Sequence, residues 1–250
     1  MRLYLLLIIC SVFFAQITQA RENSQYQILE TVAHDDSYFT QGLELFNGLM
    51  YETSGLYGQS RVRKYHPAND TALLETSLPD KYFAEGLTLL SDELFVLTWR
   101  ENTLFILNPD NLSVKREIFY EGPGWGIANN GKQLIMSNGS DTITFRDPKT
   151  FNVIREINVT SKQHSVRRIN ELEYAEGYIW ANIWGSTQIV KINPLTGKLE
   201  HVYDLTDIAE KHTSKNDERV LNGIAYDAKK KAFWITGKLW PARYLIKFNP

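Results

Sequence analysis

The sequence predicts an all-β fold, a five-bladed β-propeller with the N-terminal strand completing the last blade. Three observations predict it. Five segments open on a polar or aromatic residue beside Gly or Glu and close on a proline: Gln41-Gly42 to Pro67, Glu85-Gly86 to Pro109, Trp125-Gly126 to Pro148, Asn170-Glu171 to Pro194 and Asn222-Gly223 to Pro250. The closing prolines are 42, 39, 46 and 56 residues apart, the period of a four-stranded propeller blade with one insertion. Each segment contains short β-rich runs separated by Gly, Asn and Asp turns.

The first twenty residues read as an export signal and lie outside the fold. Arg2 gives a positive end, residues 3–14 are nearly all apolar, and Thr18-Gln19-Ala20 supplies a small residue for cleavage. A run of about a dozen apolar residues is short for a membrane span of roughly 20; an uncleaved anchor is the alternative. Residues 21–250 are then a single propeller domain, exported to a periplasmic or extracellular destination.

Taken in order, the mature chain begins with Gln27-Ile28-Leu29-Glu30-Thr31-Val32, which resembles Ala72-Leu73-Leu74-Glu75-Thr76-Ser77 after the first closing proline. The fifth unit ends at Pro250 without a fourth strand, so the N-terminal segment is expected to supply it and leave no free sheet edge. In the second unit the strands are predicted at residues 87–90, 94–98 and 103–107, and in the fourth at 172–174, 178–183 and 188–192. More polar outer strands follow the prolines at 72–78, 112–119, 152–159 and 198–205. The link over 206–220 is charged and lacks a strand pattern. It is predicted to carry a short helix over 207–212, as a solvated insertion or as a lid.

Composition removes several function classes. The one cysteine, Cys10, lies inside the leader, so the mature chain has no thiol for disulfides, catalysis or metal binding. The 27 basic and 29 acidic residues are interspersed and form no basic face for nucleic acid. The five histidines, His34, His66, His164, His201 and His212, show no metal-ligand spacing. Neither Ser54-Gly55 nor Gly139-Ser140 fits a nucleophile elbow. Asn69, Asn111, Asn138 and Asn158 head glycosylation sequons that matter only in a host that glycosylates.

In an up-and-down blade the start of the first strand and the end of the second share one mouth of the ring. The first position carries Gln41, Glu85, Trp125, Asn170 and Asn222; the second carries Gly55, Trp99, Asn138, Trp184 and Lys238. A carboxylate, amides, an ammonium and three indoles around one opening suit a small polar ligand with an apolar stem.

These residues resemble a family, the glutaminyl-peptide cyclotransferases (glutaminyl cyclases) of the plant and bacterial type. The matching strings are Phe39-Thr40-Gln41-Gly42-Leu43, Gly55-Leu56-Tyr57-Gly58-Gln59-Ser60, Glu85-Gly86-Leu87-Thr88, Gly124-Trp125-Gly126, Asn170-Glu171-Leu172-Glu173, Trp180-Ala181-Asn182-Ile183-Trp184, Leu221-Asn222-Gly223-Ile224 and Thr236-Gly237-Lys238-Leu239-Trp240-Pro241. The resemblance implies conversion of an N-terminal glutaminyl residue to pyroglutamate with release of ammonia. It also implies active-site roles for Glu85, Trp99, Trp125, Asn170, Trp184 and Lys238.

On chemical grounds Glu85 is the candidate base and proton shuttle, and Asn170 and Lys238 are candidate donors to the developing oxyanion. Trp99, Trp125 and Trp184 are expected to wall the pocket, which of them donates its N–H being left open. Gln41, Asn138 and Asn222 are further substrate-binding candidates, with Trp240 and Arg167 behind them. No catalytic metal is expected; a structural calcium ion in the tunnel is compatible with the sequence. The expected partners are peptides or proteins with N-terminal Gln, with no nucleic acid and no membrane after cleavage, and the protein is expected to be a monomer. A noncatalytic propeller holding peptide N-termini through Glu85 is the competing reading; a metal-dependent lactone or sugar enzyme is disfavoured by the shortage of carboxylates.

Overall fold

The computed structural model describes residues 25–212 and 218–249. The leader falls outside the described residues. Twenty of the strands form five antiparallel sheets of four, each built in the order of the chain except the last. Strand β1 is Tyr26–Ala33. The first blade is β2 Thr40–Phe46, β3 Leu49–Ser54, β4 Arg61–Tyr65 and β5 Ala72–Ser77; the second is β6 Ala84–Leu90, β7 Glu93–Thr98, β8 Thr103–Leu107 and β9 Val114–Phe119. The third is β10 Ile127–Asn129, β11 Leu134–Ser137, β12 Thr142–Arg146 and β13 Val153–Asn158, followed by a two-stranded hairpin, β14 Thr160–Ser161 and β15 His164–Ser165. The fourth is β16 Ile169–Ala175, β17 Tyr178–Ile183, β18 Gln188–Ile192 and β19 Leu199–Asp204, and after the short helix α1 Thr206–Ala209 the fifth begins with β20 Leu221–Asp227, β21 Ala232–Gly237 and β22 Ala242–Phe248.

The fifth blade is completed by β1, which pairs antiparallel with β22, Tyr26 opposite Phe248 and Ala33 opposite Ala242. The inner strands touch in a closed cycle, β2 to β6 to β10 to β16 to β20 and back to β2. This closed ring is the five-bladed propeller that the repeat predicts.

In the second, third and fourth blades the proline ends the third strand through one device. Asn108, Asp147 and Asn193 each stand before a proline, and their side-chain oxygens accept the N–H two residues on, from Asp110 (2.8 Å), Lys149 (3.0 Å) and Leu195 (3.0 Å). The proline has no N–H to continue the ladder, and the Asx turn reverses the chain into the outer strand.

Strand lengths differ most from expectation at the inner strands. The second blade's begins at Ala84 instead of residue 87, and the fourth's at Ile169 instead of 172. The cause is a bulge. Ala84 pairs with Thr98 but Leu87 with Val96, so one extra residue is inserted at Glu85-Gly86; the same shift occurs at Gln41, at Asn170-Glu171 and at Asn222-Gly223. Such a bulge breaks the in-out alternation that sequence periodicity relies on, and re-aims a side chain.

A buried ionic cluster ties the first blade to the closing blade. Glu52 accepts from His34 (2.9 Å), Thr40 (2.6 Å), Arg63 (2.7 Å) and Tyr65 (2.9 Å). Asp70 joins Arg63 to Arg243 of β22 at 3.2 and 2.8 Å. Both lone-pair sides of the Glu52 carboxylate are thereby satisfied, the condition for tolerating a charge in the interior.

Candidate active site

The bulges explain why a polar residue followed by Gly recurs. At three of them, Gln41, Glu85 and Asn170, the polar side chain lines the cavity at the mouth, and the residue that follows packs close to a neighbouring inner strand. A Cβ on Gly86 would stand 2.7 Å from the Ile127 nitrogen, and one on Gly126 would stand 2.1 Å from the Asn170 carbonyl oxygen. Only glycine permits this approach. The fourth blade has Glu171 there instead, and its carboxylate reaches across to the N–H groups of Leu43 (3.3 Å) and Ile224 (2.9 Å).

The second set of rim residues is positioned by a repeated backbone bond. The N–H of the residue after the second strand donates to the carbonyl two residues before the bulge: Gly55 to Phe39, Trp99 to Phe83, Trp184 to Arg168 and Lys238 to Val220, all at 2.8 to 3.0 Å. Positions far apart in the chain thus occupy equivalent places at the mouth.

There the chain forms a cavity of about 360 Å³ lined by Gln41, Glu85, Trp99, Trp125, Asn170, Trp184 and Lys238, together with Phe39, Leu56, Phe83 and Glu218. Seven of the eleven candidate residues named from the sequence meet here. Glu85 and Lys238 are buried, whereas Trp184 stands 44% exposed at the entrance. The Trp125 and Trp184 rings meet edge to face at 6.0 Å, and Phe83 links Trp99 (5.6 Å) to Phe39 (6.2 Å).

Asn138 and Asn222 do not line the cavity. Asn138 holds its own turn, accepting from the Ser140 hydroxyl at 2.6 Å. The adjoining Gly139 leaves the space that the Trp125 ring fills, since a Cβ there would be 2.6 Å from the ring. Asn222 lies behind Asn170 and hydrogen-bonds to it. Trp240 is fully buried against Gly237, with its indole N–H donated to the Arg219 carbonyl, and Arg167 is exposed outside the cavity.

Phe39, Leu56, Phe83 and Glu218 were not distinguished by the repeat. Phe39 and Phe83 share one signal, each lying two residues before a bulge residue, Gln41 and Glu85. Glu218 belongs to the 206–220 link, part of which lies outside the described residues. The expected helix there is α1, one turn from Thr206 to Ala209, with turns continuing to His212.

Burial dominates the electrostatics. It pushes the Glu85 carboxyl well above the usual carboxylate range, opposed by the Lys238 ammonium and reinforced by Glu101. It also pulls Lys238 down to about 8, opposed by Glu85 and Glu218. Lys238 therefore changes charge state closer to neutrality than in water, and Glu85 holds its proton more tightly than an exposed carboxyl. Gln41 Oε1 is buried with no hydrogen-bond partner among the described residues. Among the described residues no cluster of three or more His, Asp or Glu side chains is placed to hold a metal ion, and no helix is long and apolar enough to cross a membrane.

Fold and site together define a propeller enzyme with a buried carboxyl and a buried amine lining one aromatic-walled cavity. The model of the glutamine cyclotransferase family matches residues 3–248. The chain is 38% identical over 231 residues to a glutaminyl-peptide cyclotransferase of Arabidopsis thaliana, covering 90% of this chain and 72% of that protein. It also superposes on a crystal structure of Myxococcus xanthus glutaminyl cyclase with a TM-score of 0.83 and 32% identity, over 90% of this chain and 96% of the other. The chain belongs to the glutamine cyclotransferase family.

Proposed function

We propose that this protein converts the N-terminal Gln of peptides or proteins to pyroglutamate without a catalytic metal, with Glu85 as the proton shuttle. The observation that carries the reading is the buried Glu85 and Lys238 facing one cavity with Asn170 and three indoles. The substrate's α-amine attacks Cδ of its own side-chain amide, forming the ring C–N bond. Glu85 removes a proton from the attacking nitrogen and returns it to the departing one, so that the C–N bond to the amide nitrogen breaks with release of ammonia. The ammonium of Lys238 and one N–H of Asn170 donate to the carbonyl oxygen as it becomes negative. The indoles and Phe83 hold the flexible side chain folded and exclude water, favouring the near-attack geometry.

We further propose export, on the strength of the leader-like first twenty residues, and action as a monomer, since the blade edges close within one chain. The test is incubation of purified protein with a Gln-initiated peptide, before and after chelator treatment. Ammonia release and the matching mass loss in both arms support the proposal. No turnover would favour a propeller that only binds peptide N-termini, and chelator-sensitive turnover would remove the metal-free mechanism.

A further inference from the structure

Next to the cavity, outside the residues that line it, stands Glu101. Its two carboxylate oxygens point to different blades. One accepts from the Tyr57 hydroxyl at 2.7 Å, on the loop after β3; the other accepts the Phe83 N–H at 3.3 Å, just before β6. The Tyr57 ring in turn meets the Phe83 ring edge to face at 5.4 Å, and Phe83 packs on Trp99 and Phe39. The Lys238 ammonium lies 4.5 Å from the Phe39 ring centre.

The loop over residues 55–60 is held at other points too. Ser60 Oγ donates to the Leu56 carbonyl and accepts the Ala84 N–H, both at 2.9 Å, and the Gly58 N–H donates to the Asp80 carbonyl at 3.1 Å. Within this loop Leu56 has φ of 83°, a left-handed conformation that non-glycine residues adopt only where surrounding structure enforces it. Leu56 lines the cavity, so the enforced conformation serves the pocket wall.

We infer that Glu101 is a positioning residue of this site: it ties the 55–60 loop to the start of β6 and so fixes Leu56, Phe83 and Trp99 around Glu85. The inference rests on the cyclotransferase reading. Glu101 also adds negative charge beside Glu85. The charged and titratable groups around Glu85 are Lys238, Glu101, Tyr57 and Tyr120, with Arg100 stacked on Trp99 at 3.7 Å and Glu218 beside Lys238. Of these, Glu101 raises the affinity of Glu85 for its proton and Lys238 lowers it.

Three variants separate position from charge. Tyr57→Phe removes one hydrogen bond and keeps the charge; KM for a Gln-initiated peptide rises roughly three- to tenfold while the acid limb of kcat/KM stays in place. Glu101→Gln keeps the shape and removes the charge. Its acid limb moves to lower pH, and because the substrate amine titrates identically with both enzymes the displacement belongs to the protein. Glu101→Ala loses both effects; if it fails to fold, Tyr57→Phe carries the test of position and Glu101→Gln that of charge. A Glu101→Gln profile superimposed on that of the wild type, or an unchanged KM in Tyr57→Phe, overturns the inference. Peptide binding followed by intrinsic Trp fluorescence runs in parallel. If the wild type binds but releases no ammonia, the cyclotransferase reading fails, and the clamp is still judged by whether Tyr57→Phe weakens binding.

Discussion

Asn222 holds Asn170 in a single orientation. Its amide nitrogen donates to the carbonyls of Thr40 (2.9 Å) and Gln41 (3.2 Å), which can only accept, so its oxygen must be the end that faces Asn170. That oxygen accepts from Asn170 Nδ2 at 2.9 Å. One N–H of the Asn170 amide is thereby spent within the chain, and the other is left for the cavity. On the proposed mechanism Asn222 acts through Asn170 and is a positioning residue.

Asn222→Ala is accordingly expected to lower kcat for a Gln-initiated peptide about tenfold, the value of one well-placed hydrogen bond of roughly 1.4 kcal/mol. Asn170→Ala loses a donor to the oxyanion and should cost about 10²–10³. Steady-state kinetics on both variants check the order, and equal losses would contradict the assignment of roles.

On the proposed mechanism Lys238 sets an alkaline limit to the activity. Burial lowers it to about 8, so its ammonium is present below that pH and lost as pH rises through it. We expect kcat to fall above about pH 8 and the fall to move to higher pH in Lys238→Arg, whose guanidinium stays charged. A pH profile of kcat for both proteins decides this.

A second group of carboxyls governs stability. Burial raises Glu44 to about 8 and Glu173 to about 7, with the charge of Glu173 adding to the shift at Glu44. Their side chains bridge inner strands, accepting the N–H of Leu89 (3.0 Å) and of Tyr226 (2.8 Å). The folded state therefore keeps protons that the unfolded chain releases near pH 4.3, and the contribution of these groups falls as pH rises from about 5 to 8. Thermal unfolding should show Glu44→Gln and Glu173→Gln losing less stability than the wild type between pH 6 and 8.

The Glu52 cluster acts in the opposite direction. Despite burial, Arg63 and His34 hold this carboxyl well below the usual range, so its contribution is present above about pH 4.3 and lost on acidification. Glu52→Ala leaves Arg63 buried beside a vacated partner and should cost about 3–5 kcal/mol. Denaturant titration at neutral pH measures it.

The repeat is legible because the blades solve the same closure problem with similar residues: a glycine after the rim residue in four of the five units, and a proline after the third strand, preceded by Asn or Asp in the second, third and fourth. Strands such as Thr103–Leu107 and Tyr178–Ile183 follow from propensity and turns alone. A period of two places the starts of the second and fourth inner strands three residues late, because the bulges at Glu85-Gly86 and Asn170-Glu171 interrupt it. Asn138 shares its repeat position with Trp99 and Trp184, yet its side chain folds back on Ser140, a local Asx contact that periodicity does not register. Leu56 reaches the cavity through a left-handed backbone, and Glu171 replaces the axial glycine by reaching across the ring. Both depend on neighbours distant in sequence.

The most direct test of the central claim is ammonia release from a Gln-initiated peptide by the wild type and by Glu85→Gln under identical conditions. Gln has nearly the same shape but cannot take a proton, so the variant should keep its melting temperature and its peptide binding while losing about 10²–10⁴ in kcat. Near-normal ammonia release by Glu85→Gln would contradict the account.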